Sequence, residues 1–555
     1  MNYPPTPRLP AIFAMVFALS ATSLCGAATY YVHPVHGDDT NAGTSPKSAF
    51  RTLRRASDVR LQAGDRVLLA SGQKFTGQLA LEGLSGEANQ PIVISTYPSV
   101  NGGDESRAGI DAKGQIAGVF LKNCAHIVVE NLIITAKAGG ENPASQALKG
   151  MRCGVLVEAD QPGDYAGFKV ANLVVKDVFF EEPGFIRPPS EVKSANGTQN
   201  YGWGIRFIST SPKARMRDIT ITDCRISNVC HTGLKLTAPG KGLQNVDVRR
   251  LVVENTGGPG VQMSGVQGGH FSELNVNGSG STKDSRNWGR GSGLWTWGSD
   301  NVLIEKSQFR NANGPGDSAG VHIDYNCRNV IVQYNLSSNN AGGFCEILGN
   351  NFNCAYRYNV SINDGHRVKG VNGAFQEGKI FWLSGYTGNK SPLKGPYHSY
   401  FYNNTIFVSD ENVARISVAP SARGVLVANN IFYFRGGSKT VTGDQGKRDV
   451  MRGAAPGNVV FSNNLFLDAH SWPADAPIRD QSPIVGNPDF KQGGGGDIKD
   501  YLPRNAGLVR DKGLRILKLP GDDAGLLGGL DLKTDICGSR ILGLPDIGAL
   551  ELPPQ

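Results

Sequence analysis

Between Trp295 and Lys379 the sequence gathers many side chains that can move protons or carry charge: Asp317, His322, Asp324, Tyr325, Glu346, Arg357, Asp364, His366, Arg367, Lys369, Glu377 and Lys379. Two bond-cleaving chemistries fit these types. A glycosidase needs one carboxyl held protonated as the acid and a second serving as nucleophile or base, about 5 Å or 6.5–9.5 Å apart. Asp324 and Glu346 can fill those roles, with Asp317 in reserve. A lyase needs a cation to neutralise a uronate carboxylate and a base to take the adjacent proton. His322, His366, Arg367, Lys369 and Tyr325 supply those types. Arg206, Lys235 and Lys379 are candidate contacts to an acidic sugar, and Trp295 and Trp297 offer flat stacking surfaces.

Each residue also has a plainer reading. Asp317 and Asp324 lie among Gly and Asn, where an aspartate often bonds its own turn. His322 alone reads as a satisfied surface histidine, Arg206 and Lys235 as solvent-facing charges, and the tryptophans as packing under a long turn. Glu346 is harder to dismiss, because an exposed strand rarely needs a carboxylate beside apolar neighbours.

The elements that position these residues follow from a repeat. From about Cys124 onward a Gly opens an alternating apolar strand, a variable turn follows, and a second β-rich run ends in Asn. The clearest starts are Gly204, Gly233, Gly260, Gly293, Gly320 and Gly343, spaced 29, 27, 33, 27 and 23 residues apart. Unequal spacing around one mean is the mark of a parallel β-helix with turns of different length. Alternation sends Ile205, Leu234, Val261, Leu294, Val321 and Phe344 inward, and Arg206, Lys235, Gln262, Trp295 and His322 outward. Alignment on the starting glycines turns Glu346 inward. Alignment on Tyr334-Asn335 and Tyr358-Asn359, 24 residues apart, places Glu346 over His322 and outward, which is the register we prefer. Asn335, Asn359, Asn404, Asn430 and Asn464 read as a structural stack, since Asn tolerates the left-handed backbone of a tight turn.

Bulk properties agree. With 72 glycines in 555 residues and only 19% charged residues, the chain suits short strands and tight turns. The formal charge of +8 suits an anionic partner, and the absence of dense Lys/Arg runs argues for a polyanionic glycan over nucleic acid. Arg8, the apolar run 11–24 and the small residues Gly26, Ala27 and Ala28 have the layout of a secretory signal. No later segment is apolar enough to span a bilayer, so the expected product is exported, periplasmic or extracellular, and monomeric. The cysteines beyond the signal read as mostly buried small hydrophobes, with room for one bridge.

The opening Tyr30-Tyr-Val-His-Pro, Gly37-Asp-Asp-Thr-Asn-Ala-Gly-Thr-Ser, Gly64-Asp-Arg-Val-Leu-Leu and Asn89-Gln-Pro-Ile-Val-Ile, with the closing Gly486-Asn-Pro-Asp-Phe and Pro545-Asp-Ile-Gly-Ala-Leu-Glu, resemble exported right-handed parallel β-helix repeat proteins of the pectin-lyase-like superfamily. The resemblance covers nearly the whole mature chain and implies an all-β solenoid. It does not imply one reaction, since such relatives include lyases, hydrolases, epimerases and adhesins. Neither the clustered aspartates of polygalacturonases nor the calcium ligands of pectate lyases can be matched residue by residue.

The expected organisation is a signal peptide over 1–28, an N-terminal cap and first coils over 29–120, a β-helix core over 121–477 and a C-terminal wrapping segment over 478–555. A capping helix is expected over 50–60. The leading functional expectation is a polysaccharide lyase acting on an acidic polymer. A glycoside hydrolase using Asp324 and Glu346 comes second, and a non-catalytic glycan-binding solenoid third. Calcium is the one cofactor left open, with no ligands assigned. Asp38 and Asp39 resemble a calcium loop only faintly and read better as turn formers.

Overall fold

The computed structural model describes residues 26–98, 107–137, 151–180, 185–186, 202–281, 283, 286–287, 289–388, 391–443, 457–476 and 478–554. Most of the expected signal segment lies outside these residues. Strands assemble into three parallel sheets of 14, 12 and 14 members, and each sheet takes about every third strand in chain order. One circuit of the chain therefore adds one strand to each sheet, which is a parallel β-helix. The stacking begins at Thr29–Val32, which pairs in parallel with Arg66–Ala70, and it runs through residue 121 without a break.

The recurrent glycines have a steric cause. A Cβ on Gly204 would stand 2.4 Å from Ile226 Cγ2, and one on Gly233 would stand 2.5 Å from Val253 Cγ1 and 2.6 Å from the Gly260 carbonyl oxygen. Only a residue without a side chain lets the circuit close against the sheet that faces it. Immediately after these glycines, Ile205, Leu234, Val261, Leu294 and Val321 stack in register and are 3% exposed or less. The next rung departs from expectation. Ile323 pairs with Ile347, so Cys345, not Phe344, continues the Val321 column. Phe344 takes the level of Gly320 and packs on the rings of Tyr356 and Phe401.

The asparagine stack is present and buried. Asn335, Asn359, Asn404 and Asn430 each donate Nδ2 to the Oδ1 of the Asn one rung on. The Asp480 carboxylate ends the series by accepting from Asn464 Nδ2 at 2.6 Å. Its basis differs from the expected one: positive φ falls on the preceding residues, Tyr334, Tyr358, Asn403, Asn429 and Asn463. The ladder amides satisfy main-chain groups of adjacent rungs that a buried turn would otherwise orphan.

At the start of the solenoid the expected helix is only Leu53–Ser57, capped by the Thr52 side chain, and Ser57 Oγ accepts the Ala80 N–H. Asp39 accepts from the Arg51 and Thr52 amides and Asp38 from Thr40, so both acids form turns. Residues from 478 onward contribute one short strand, Ile484–Val485, and otherwise pack across the outside. Leu519 and Leu526 cover Tyr358, Tyr400 and Tyr402. Arg357 is tied into this contact through Gln333, Tyr402 and the Gly529 carbonyl. All eight described cysteines are free, and seven are buried, so the anticipated bridge is absent among the described residues. Among those residues no helix is long and apolar enough to cross a membrane.

Candidate active site

The outward positions of the 12-stranded sheet form one column. Arg206 pairs with Lys235, Lys235 with Gln262, Gln262 with Trp295 and Trp295 with His322. The Ile323–Ile347 register then sets Glu346 beside His322, and Glu346 pairs with Trp382. The preferred register is thus the observed one, but the expectation of an open strip is not met. His322 is 1% exposed and Glu346 4%, because two turns fold over this part of the column.

Arg367 knits those turns together: it donates Nε to the Gln376 carbonyl and Nη1 to the carbonyls of Gly314 and Asp317. Phe375 N–H bonds the Pro315 carbonyl, and the Gln376 side chain accepts the Asp317 N–H. Asp317 and Ser318 both have positive φ, 43° and 64°. Two consecutive non-glycine residues in that region store strain that the surrounding contacts must hold.

Three buried carboxyl groups lie within electrostatic reach of one another here, in unlike environments. Asp317 Oδ1 lies 2.7 Å from Arg290 Nη1. Burial would raise its pKa, but Arg290, His322 and Arg367 outweigh burial and hold it below the usual carboxylate range. Asp324 accepts from Trp295 Nε1 at 2.9 Å and from the Tyr325 amide at 2.8 Å. Burial dominates there, and with the charge on Asp317 it pushes Asp324 up to about 7 despite those hydrogen bonds. Glu346 is driven well above its ordinary value by burial and by Asp317, with partial relief from Lys379. Burial lowers His322 to about 4, against the pull of Asp317. The surroundings thus favour the ionised form of Asp317 and the neutral forms of His322, Asp324 and Glu346.

His322 Nε2 is 3.3 Å from Glu346 Oε1, yet neither atom, nor His322 Nδ1, has a hydrogen-bond partner. Beside them lie rings suited to a sugar face. Trp295 stacks on His322 at 5.8 Å and 21°. Trp297, 41% exposed, lies 5.7 Å from Tyr325, which meets Tyr386 edge-on at 5.7 Å.

The other candidates lie elsewhere or are occupied. Arg367 donates Nε and Nη1 to main-chain carbonyls and ties the two turns together. The Lys379 ammonium lies 3.9 Å over the Trp382 ring and donates to the Glu377 carbonyl; it is buried, not a groove contact. His366 bonds the Asn363 carbonyl, and Lys369 is exposed with its N–H on Glu377. Arg206 and Lys235 share the column but sit three and more rungs away, neither fully open to solvent. Among the described residues no group of three or more His, Cys, Asp or Glu is arranged to hold a metal.

Arg290, Gln376 and Tyr386 went unnoticed in the sequence. A signal for Arg290 exists: it precedes Asp317 by 27 residues, which is also the spacing of Gly293 and Gly320. Carrying the coil period into the turns puts the two side by side, and the observed Arg290–Gly316 bridge falls one residue from that alignment.

Comparison with known proteins adds three findings. The family described as right-handed β-helix region matches residues 204–406. Lacto-N-biosidase of Bifidobacterium longum subsp. longum is 24% identical over 640 residues; the alignment spans 96% of this chain but only 37% of that relative's length. Among solved structures, lacto-N-biosidase from Eubacterium ramulus is 17% identical with a TM-score of 0.48, covering 83% of this chain and 68% of its own. XylC in complex with xylose is 10% identical with a TM-score of 0.47, covering 95% and 98%. Three parallel sheets, rung-by-rung registers and the family match together make this chain a right-handed parallel β-helix protein.

Proposed function

We propose that this chain is a glycoside hydrolase in which Asp324 delivers the proton to the departing oxygen and Asp317 is the ionised partner. The observation that carries the reading is a set of three buried carboxyls in which Asp317 is paired with the Arg290 guanidinium and Asp324 with the Trp295 indole N–H. Titratable pairs driven apart by their surroundings divide the acid and base roles. Asp324 stays protonated long enough near neutrality to protonate a leaving group, and Arg290 keeps Asp317 charged to meet the developing positive charge on the sugar. Trp295 holds the Asp324 carboxyl in place through its indole N–H. His322 and Glu346 lie buried behind these carboxyls, and Trp297 with Tyr325 takes a ring face.

This order reverses the leading expectation from sequence. A lyase would bring a uronate carboxylate against Asp317, Asp324 and Glu346, and the nearby cations are engaged: Arg290 with Asp317, Arg367 with carbonyls, Lys379 with Trp382. The sugar at the reacting centre is therefore neutral. The lacto-N-biosidase relative supports hydrolysis, and glycans bearing lacto-N-biose are the first substrates to try. Export is part of the proposal, resting on the signal-like N-terminus.

The test is a panel of neutral and uronic-acid glycans incubated with wild type, D317N and D324N. Release of reducing ends without the near-ultraviolet absorbance of an unsaturated uronate, lost by about 100-fold or more in each variant, is the expected result. Unsaturated product, or near-normal turnover by both folded variants, would overturn the assignment.

A further inference from the structure

Resting on the hydrolase reading, we propose that Lys235 anchors a second glycan subsite that takes an anionic substituent, a carboxylate or a sulfate ester, on a sugar remote from the bond that is cut. Lys235 lies in the strand Leu234–Thr237, whose Leu234 and Leu236 face the core. Its side chain therefore stands on the outer face, in the same column as His322 and three rungs away. At about 4.8 Å per rung that is about 14 Å.

The ammonium has three protons to give and one described acceptor, the neutral Gln262 Oε1 at 2.7 Å. No described carboxylate contacts it. The preceding rung brings a second cation, Arg206, with its guanidinium 3.9 Å over the Trp203 ring and Nη1 on Met151 Sδ. The acid on this face, Glu158, pairs with Ile208, two positions beyond Arg206 on its strand. Burial, assisted by Arg206, lowers Lys235 to about 7. A half-buried cation beside another cation carries a desolvation cost that an oxyanion would repay. Between Lys235 and the reacting centre the column presents an amide and a half-buried indole, Gln262 and Trp295. These suit the hydroxyls and ring face of a sugar chain laid along the rungs. Charge would thus be read away from the carboxyl cluster, which excludes it.

Binding of glucuronate, of glucose carrying a sulfate ester and of glucose itself is measured by titration calorimetry on the full chain, as wild type, K235M and K235R. Methionine replaces the ammonium with an apolar group of similar reach, so the fold is expected to hold. The proposal expects at least one of the two anions to bind about tenfold or more tightly than glucose, with that advantage lost in K235M and largely kept in K235R. Preference for glucuronate identifies a carboxylate as the partner, preference for the ester identifies sulfate, and equal binding leaves either source adequate; all three support the subsite. Anions bound no better than glucose, or an advantage that survives in K235M, would overturn it. No turnover is read, so failure here leaves the hydrolase assignment standing, and failure of hydrolysis leaves this binding intact.

Discussion

Replacing Asp324 with asparagine separates two consequences of holding a proton in a buried site. The raised pKa means that the folded protein keeps a proton which the unfolded chain releases. Stability from this group is full below the unfolded value of 3.8 and is lost as pH rises to about 7, beyond which nothing further changes. Each tenfold difference in proton affinity between the folded and unfolded chain is worth about 1.4 kcal/mol. Between about pH 5 and about pH 8, wild type should therefore lose roughly 2–3 kcal/mol relative to D324N. The asparagine keeps one of the two acceptances, from Trp295 or from Tyr325, and meets the other donor with its own N–H. That mismatch adds an offset independent of pH and leaves the slope intact. The assay is urea denaturation of both proteins across this range, read as the difference so that groups common to both cancel. Activity should meanwhile fall by about 100- to 10,000-fold at every pH. Parallel stability curves would show that Asp324 is not held protonated, and the acid role would fall with it.

Three further changes probe the supports of the site and fold. R290Q strands Asp317 as a buried charge, and about 3–5 kcal/mol of stability should be lost in urea titrations at neutral pH. That loss should shrink toward acid pH as Asp317 takes up a proton. N359L removes a ladder amide that accepts from the Asn335 amide and donates to the Val332 carbonyl, and about 2–4 kcal/mol should go for the orphaned groups, measured the same way. G233A forces a Cβ to within 2.5 Å of Val253 Cγ1; about 1–3 kcal/mol of destabilisation with an unchanged far-ultraviolet circular dichroism spectrum is expected.

The solenoid was legible because its cause is local and repeated. Alternation after Gly204, Gly233, Gly260, Gly293 and Gly320 orients each strand, and the Tyr334-Asn335 to Tyr358-Asn359 spacing fixes the rung that brings Glu346 to His322. What stayed hidden depends on how long turns fold back. Nothing near Arg367 in the chain announces that it will bond carbonyls 50 residues and more away at Asp317 and Gly314. Without that cover, His322 and Glu346 read as open to solvent, Arg367 and Lys369 as reactive cations, and Lys379 as a contact to an acidic sugar. The unlike states of Asp317 and Asp324 were invisible for the same reason. Both are aspartates among turn-forming residues, and only the arrival of Arg290 on one and of Trp295 on the other distinguishes them.

Cleavage of a neutral glycan in heavy-oxygen water, followed by mass spectrometry of the new reducing end, tests the central claim most directly. Hydrolysis places one solvent oxygen at the anomeric carbon for each bond the wild type breaks, and D317N or D324N should yield almost none in the same time. Product formed without solvent oxygen, or labelled at the wild-type rate by both variants, would contradict it.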